Sequence, residues 1–239
     1  MIRFYSPDIA ESLTLPESDS GHAVRVLRLR AGDPLEIVDG RGNLYHCILT
    51  DAHHKHARVA IEAVETYPKT WSGSITLAIA PTKNNDRMEW LVEKLVEIGI
   101  DRIVTLRCQR SERKDINIER LERVAVAAMK QSLKATLPVI EPTIPFRDYM
   151  TGDLPGQRFI AYCDPAFERR LLAREYRPGA DTAILIGPEG DFSPEEIKLA
   201  LTTGWLPVSL GDSRLRTETA ALFAVSACHI LSQALSLTS

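Results

Sequence analysis

No apolar run in the 239-residue chain approaches the roughly 18 residues of a membrane-spanning helix, so nothing in the sequence reads as a span. The opening residues, Met1-Ile2-Arg3-Phe4-Tyr5-Ser6-Pro7, lack the basic region, long apolar stretch and cleavage site of a secretory signal, and a cytoplasmic location is expected. Cysteine is sparse: Cys47, Cys108, Cys163 and Cys228 are scattered and form no C-x-x-C pair, which favours structural thiols over a disulfide framework or zinc site. Positive charge is not in excess. The formal net charge is -3, whereas a purely electrostatic nucleic-acid binder is usually basic, so composition argues against non-specific binding and leaves room only for a local basic face. A Walker pattern, a G-x-G-x-x-G fingerprint, internal repeats and low-complexity segments are missing as well.

What is present is enough apolar content, 44%, for a real core, and a length that suits one or two domains. Residues 1–70 read as β. Leu35–Val38 leads into the turn signal Asp39-Gly40-Arg41-Gly42, then Leu44–Leu49, and Ala57–Val64 alternates with period 2. Short strands with glycine turns suggest a small barrel. Tyr67–Gly73 reads as a seam. Residues 74–239 then change to α/β: strands at Ile75–Ala80, Arg102–Leu106, Phe159–Cys163, Ala183–Ile186 and Trp205–Leu210 alternate with helical patterns at Asp86–Ile98, Ile118–Leu133, from Pro194 to about Thr203, and Thr219–Leu235. Ser193-Pro194-Glu195-Glu196 is a capping signature. Helices alternating with buried strands predict a mostly parallel sheet.

Two loops stand out. Gly187-Pro188-Glu189-Gly190-Asp191-Phe192-Ser193 follows one strand, and Leu210-Gly211-Asp212-Ser213-Arg214-Leu215-Arg216-Thr217-Glu218-Thr219-Ala220 follows another. Each opens a helix, the arrangement by which α/β proteins build small-molecule sites at strand carboxyl ends. Taken singly, the first also suits a plain strand-to-helix connection, and Thr217 or Thr219 suits an N-cap. Glu189 and Asp191 would repel phosphate, so a neutral or cationic ligand fits better. Basic residues collect at Arg25, Arg28 and Arg30, which Arg3 can join in space, and at Arg107, Arg110, Arg113 and Lys114. Either set suits phosphate contacts or ordinary solvated surface. Phe4 and Tyr5 suit RNA stacking or the barrel core. His53-His54-Lys55-His56 reads as a solvent-facing turn rather than a metal site, and His229 as structural.

In order along nearly the whole chain, these segments resemble the RsmE-type 16S rRNA (uracil-N3)-methyltransferases of the SPOUT superfamily. The loop at Gly187–Ser193 and the run at Leu210–Ala220 look like that family's signature. Arg3-Phe4-Tyr5 resembles its start, His22–Arg28 its basic segment, Lys83, Arg87, Lys94 and Glu97-Ile98-Gly99 its K…R…K…ELG helix, and Gln131–Lys134 with Pro138 its Q-S-x-R…P element. Departures are Asp191 for a more common glycine, Ser213-Arg214 where many relatives have Arg followed by Ile or Val, Lys134 for arginine, and an acidic residue present only as Asp164.

The resemblance implies a fold class: α/β, with a C-terminal SPOUT domain carrying a deep trefoil knot over residues 74–239 and an N-terminal PUA-like, RNA-binding β-barrel over residues 1–70. It implies a homodimer that transfers a methyl group from S-adenosylmethionine to uridine N3 of 16S rRNA, at the position equivalent to 1498, within the small ribosomal subunit. No metal is expected, because the sulfonium donor activates the methyl itself. Cofactor binding falls on Leu185, Ile186, Gly187, Pro188, Glu189, Gly190, Leu210, Gly211, Leu215, Thr217, Thr219 and Ala220. Arg216 and Arg214 are the cations expected to stabilise an N3 anion, and Glu218 is expected to orient Arg216 or accept the proton. RNA contacts fall on Arg3, His22, Arg25, Arg28, Lys83, Arg87, Lys94, Gln131 and Lys134.

Overall fold

The computed structural model describes residues 2–152, 156–164 and 168–236. The chain divides into two compact units, residues 1–70 with 126–137 and residues 71–125 with 138–239.

In the first unit, β1 (Arg3–Tyr5), β2 (Pro34–Val38), β3 (Asn43–Asp51) and β4 (Arg58–Thr66) form one sheet in that order. β1 runs parallel to β2, and the other two pairs are antiparallel. Short helices α1 (Ile9–Ser12) and α2 (Glu17–Gly21) and a π-helical turn, His22–Val26, join β1 to β2. The apolar alternation puts Leu35, Ile37, Tyr45, Cys47, Leu49 and Val59 into one core with Phe4, which is 1% exposed and so belongs to the core rather than to a stacking surface.

The turn between β2 and β3 is organised by Asp39. Its carboxylate accepts from Asn43 Nδ2 at 2.6 Å and from the backbone N–H groups of Arg41 and Asn43 at 2.8 and 3.2 Å. Burial alone would push this carboxyl up, but those bonds and the Arg41 charge outweigh it and hold the pKa below the ordinary value. Residues 126–137 complete the unit: Lys130 pairs with Asp19 at 2.7 Å, the Gly42 N–H donates to the Ala135 carbonyl, and the Leu137 N–H donates to the Gly40 carbonyl.

The second unit is built on β5 (Ile75–Ile79), β6 (Arg102–Arg107), β7 (Val139–Pro145), β8 (Gln157–Ala161), β9 (Arg170–Leu171), β10 (Thr182–Ile186) and β11 (Leu206–Ser209). Its sheet order is β7-β6-β5-β10-β8-β11-β9, and every pairing is parallel. β5 and β10 are buried at every residue, which is why they read as unbroken apolar runs.

Helices cover this sheet. α3 (Asn85–Ile98) starts at Asn84, whose side chain accepts from the Asp86 N–H at 2.8 Å. The period puts Met88, Leu91, Leu95 and Ile98 on one side; the helix buries the first three with Val92 and Val96, leaves Ile98 half-buried, and packs against α8 (Thr217–Ser236). Each such fully buried leucine contributes about 2–3 kcal/mol. α4 (Ile118–Gln131), α5 (Phe146–Met150) and α6 (Leu172–Glu175) are the remaining connections. α7 (Pro194–Thr202) carries the full capping box: Ser193 Oγ accepts from the Glu196 N–H at 3.2 Å, and the Glu196 carboxylate accepts from the Ser193 N–H at 2.9 Å. Among the described residues no helix is long and apolar enough to cross a membrane.

Candidate functional site

Because the sheet is parallel, the carboxyl ends of β10, β8 and β11 lie side by side on one edge, and the loops leaving them meet. They enclose a cavity of about 960 Å³ within the second unit. The loop after β10 contributes Gly187–Asp191, the loop after β8 contributes Tyr162 and Cys163, and the loop after β11 contributes Leu210–Arg216; Arg87, on the first turn of α3, also lines it.

The first loop is held in shape by its neighbours. Gly187 is tightly packed, since a Cβ there would lie 3.1 Å from the Phe192 ring and force it to give way. Phe192 is buried beside Leu185, Ile197 and Trp205. Arg110 Nη1 donates to the carbonyls of Gly190 and Phe192 at 3.0 and 3.2 Å. Arg113 donates to the Lys83 carbonyl at 2.7 Å, and the Lys83 N–H donates to the Glu189 carboxylate at 3.0 Å. Two members of the basic cluster seen in the sequence therefore clamp loop backbone.

Asp191 sits at φ 62°, the conformation that favours glycine. Its carboxylate accepts from the N–H groups of Cys163 and Phe192, both at 2.8 Å. The departure from glycine is thereby accommodated: the side chain gains backbone bonds that offset the left-handed conformation.

The second loop needs Gly211, at φ 108°. α8 begins at Thr217, two residues before the expected start, and the Ala220 N–H bonds the Arg216 carbonyl at 2.7 Å. Arg216 therefore holds the cap position, and neither Thr217 nor Thr219 is an N-cap.

Of the twelve expected cofactor residues, Ile186, Gly187, Pro188, Glu189, Gly190, Leu210, Gly211, Leu215, Thr217 and Ala220 line the cavity. Leu185 does not; it is fully buried in the sheet core. Thr219 is exposed and also stands apart from the lining. Arg214 and Arg216 line the cavity, whereas Glu218 is 6% exposed and pairs with Arg87 Nε at 3.7 Å rather than with Arg216.

The residues expected at RNA divide between the units. His22, Arg25, Arg28 and Gln131 are exposed on the first, and Lys134 is half-buried there. Arg3, 7% exposed, is committed inside that unit: it pairs with Glu36 at 3.2 Å, donates to the Leu133 carbonyl and lies 4.4 Å from the Tyr67 ring centre. On the second unit, Lys83 pairs with Glu112 at 2.9 Å and Lys94 with Glu93 and Glu97 at 2.6 and 2.8 Å. Those carboxylates push both lysines up.

Sequence reasoning missed Arg169, which lines the cavity and donates to the Tyr162 carbonyl at 2.7 Å. The arginines around the cavity thus fall into two groups. Arg110, Arg113 and Arg169 are spent on backbone carbonyls. Among the described residues, no protein group bonds the terminal nitrogens of Arg87 or the guanidiniums of Arg214 and Arg216. The site is an open, largely preformed pocket with apolar strand ends, loop backbone and three available forks of donors, suited to a nucleoside-sized ligand beside a group that carries negative charge.

A pocket at the strand carboxyl ends of a parallel sheet is where α/β proteins hold small ligands. The chain belongs to the RNA methyltransferase family: its RNA methyltransferase domain matches residues 69–229, and an RNA methyltransferase PUA domain matches residues 15–62. It is similar to the crystal structure of a probable rRNA-methyltransferase from Porphyromonas gingivalis, with 48% identity and a TM-score of 0.93, covering 98% of this chain and 100% of that one. It is also similar to a ribosomal RNA small subunit methyltransferase E from Neisseria gonorrhoeae bound to S-adenosylmethionine, with 27% identity and a TM-score of 0.79 over 97% of this chain and 98% of that one. Ribosomal RNA small subunit methyltransferase E of Rickettsia conorii is 28% identical over 207 residues, 86% of this chain and 84% of the relative.

Proposed function

We propose that the protein methylates N3 of a uridine in small-subunit ribosomal RNA, at the position equivalent to 1498 of 16S rRNA, using S-adenosylmethionine. The observation that carries this reading is the pocket itself: both signature loops line it, together with the guanidiniums of Arg214 and Arg216, which no described protein group bonds, and Arg87, whose one ion pair is made by its inner nitrogen with Glu218. The residues present fit the cofactor. Ile186, Val208 and Leu215 offer apolar contact for an adenine, loop amides and carbonyls can read its edge, and Glu189 offers a carboxylate to an amine. When bound, S-adenosylmethionine supplies a methyl group already activated on a sulfonium.

The chain's own task is then alignment and charge stabilisation. Neutral uridine N3 carries a proton and is a poor nucleophile, so the site must favour its anion. Arg216 and Arg214 line the pocket and can donate to the uracil oxygens over which that charge spreads. N3 lies on the pairing edge, so the target must be unpaired or flipped.

The reading extends to architecture and context. Residues 1–70 act as a PUA-like barrel that docks RNA through His22, Arg25 and Arg28, with Gln131 and Lys134, and residues 74–239 form the knotted SPOUT domain. The active species is a cytoplasmic homodimer acting on the small ribosomal subunit. Half-exposed Phe223 and Ile230 on α8 offer apolar surface for a partner copy.

Mass-spectrometric mapping of N3-methyluridine in small-subunit rRNA, with and without the gene product and after add-back with S-adenosylmethionine, tests the proposal. Restoration at the 1498-equivalent is expected. An already methylated site in the protein's absence overturns the target.

A further inference from the structure

Glu218 is the one acidic side chain of the signature run that the structure buries. It occupies the first turn of α8, does not line the pocket, and one of its oxygens, Oε2, has no hydrogen-bond partner. Its other oxygen faces Arg87 Nε at 3.7 Å. Arg87 comes from a different helix, and its side chain reaches the pocket lining. The ion pair uses Nε, the inner nitrogen, and leaves the two terminal nitrogens without a protein partner among the described residues.

A buried carboxylate outside the pocket lining is poorly placed to take a proton from a substrate. It is well placed to fix the direction of a cation standing between it and the pocket. We propose that Glu218 is a positioning residue: it anchors Arg87 from behind, so that the Arg87 fork, beside Arg216, faces the target base and stabilises the anion formed at N3. The proton leaves N3 to solvent, the N3–carbon bond forms, and the carbon–sulfur bond breaks to leave a neutral thioether. This assignment rests on the methyltransferase reading. It moves Arg87 from RNA docking to catalysis and removes Glu218 from general-base duty.

The chemistry favours an arginine at 87. Its planar fork can stay bonded to the base while Nε faces the carboxylate, which a single ammonium cannot do. The two helices that carry the pair pack on each other, so the fork is held by core structure. An anion-stabilising donor set in this way is worth on the order of a hundredfold in turnover.

The test uses full-length protein, hypomethylated small subunits and labelled S-adenosylmethionine under single-turnover conditions, with cofactor binding measured separately by calorimetry. Glu218→Gln and Arg87→Met should each bind the cofactor within about twofold of wild type and lose about a hundredfold in rate. The double variant should be no slower than the worse single one, because the two residues act as a unit. Arg87→Met leaves a buried carboxylate uncompensated and can misfold; the double variant, which removes both charges, keeps the comparison valid. Arg87→Lys should recover only a small part of the rate. The pH profile of Glu218→Gln should keep the wild-type shape at lower height.

Loss of the acidic limb in Glu218→Gln would make Glu218 the base and overturn the proposal. So would additive losses in the double variant, a wild-type rate in Glu218→Gln, or a tenfold loss of cofactor affinity with unchanged rate. Wild-type protein that binds the cofactor but leaves every small-subunit uridine unmethylated overturns the functional reading instead, and the assignment with it.

Discussion

The Asp191 carboxylate accepts the Cys163 backbone N–H at 2.8 Å and so ties the loop after β10 to the loop after β8. Its other oxygen takes the Phe192 N–H, also at 2.8 Å. Asp191→Ala keeps the left-handed φ of 62° and loses both bonds. It should cost about 2 kcal/mol or more. Asp191→Gly loses the bonds but not the conformation and should cost about 1 kcal/mol. Urea denaturation of the three proteins checks the order Asp, Gly, Ala; an alanine variant as stable as wild type refutes it.

Gly187 tests the packing beneath the same loop. A methyl group at Gly187 would meet Phe192 at 3.1–3.2 Å. Gly187→Ala should therefore lose about 1–3 kcal/mol and weaken S-adenosylmethionine binding. Gly190→Ala, whose nearest neighbour would be the Arg110 side chain at 3.4 Å, should be far milder. Paired thermal melts and calorimetric titrations read both, and equal effects at the two glycines would contradict the packing argument.

Acid stability should report on Asp39. Its folded pKa lies below the ordinary aspartate value, so between the two the unfolded chain binds the extra proton. Stability from this carboxylate is present above the unfolded pKa and is lost as pH falls through the folded one. Asp39→Ala should cost about 1–3 kcal/mol at neutral pH and flatten the dependence below pH of about 4. Urea midpoints between acidic and neutral pH decide; a variant with the wild-type acid slope speaks against it.

Thiol labelling should single out Cys163. It is exposed at the pocket, whereas burial pushes Cys47 up to about 11 and Cys228 up to about 12, and pushes Cys108 up as well. At mildly alkaline pH one thiol should react fast and three slowly, since the thiolate is the nucleophile. On the proposed function, S-adenosylmethionine should slow the fast reaction. Labelling followed by peptide mapping would show whether the fast thiol lies elsewhere.

Much of the second unit was legible because its signals are local. β5 and β10 are continuous apolar runs, α3 has a clean period, and the capping box fixes the start of α7 to the residue. β7 escaped notice because it is an edge strand that carries Pro142 and Pro145 and a register shift. Strand order was not legible at all, since β10 sits between β5 and β8 through pairings made only in three dimensions. The same holds for residues 126–137, whose bonds to Gly40 and Gly42 place them with the first unit.

The site was legible in its loops and less so in its side chains. Glycine spacing marks where backbone must turn, and ten of the twelve cofactor residues expected from the family pattern line the pocket. Sequence could not say which arginines are available. Arg110, Arg113 and Arg169 look like Arg87, Arg214 and Arg216 until their partners are seen.

The parallel sheet order also sets a timetable for folding. β5 can pair with β10 only after the intervening chain has been made, and Ser74 and Asp181, bonded just before those strands begin, are 107 residues apart. β10 is flanked by β5 and β8, and β11 joins beyond β8, so the middle of the sheet has no local hairpin from which to start. High sequence separation of this kind slows the search for native pairs and exposes apolar strands meanwhile. The pocket, made mostly from the last third of the chain, is complete only when synthesis is nearly finished, so the first two thirds of the protein leave the ribosome before the site exists.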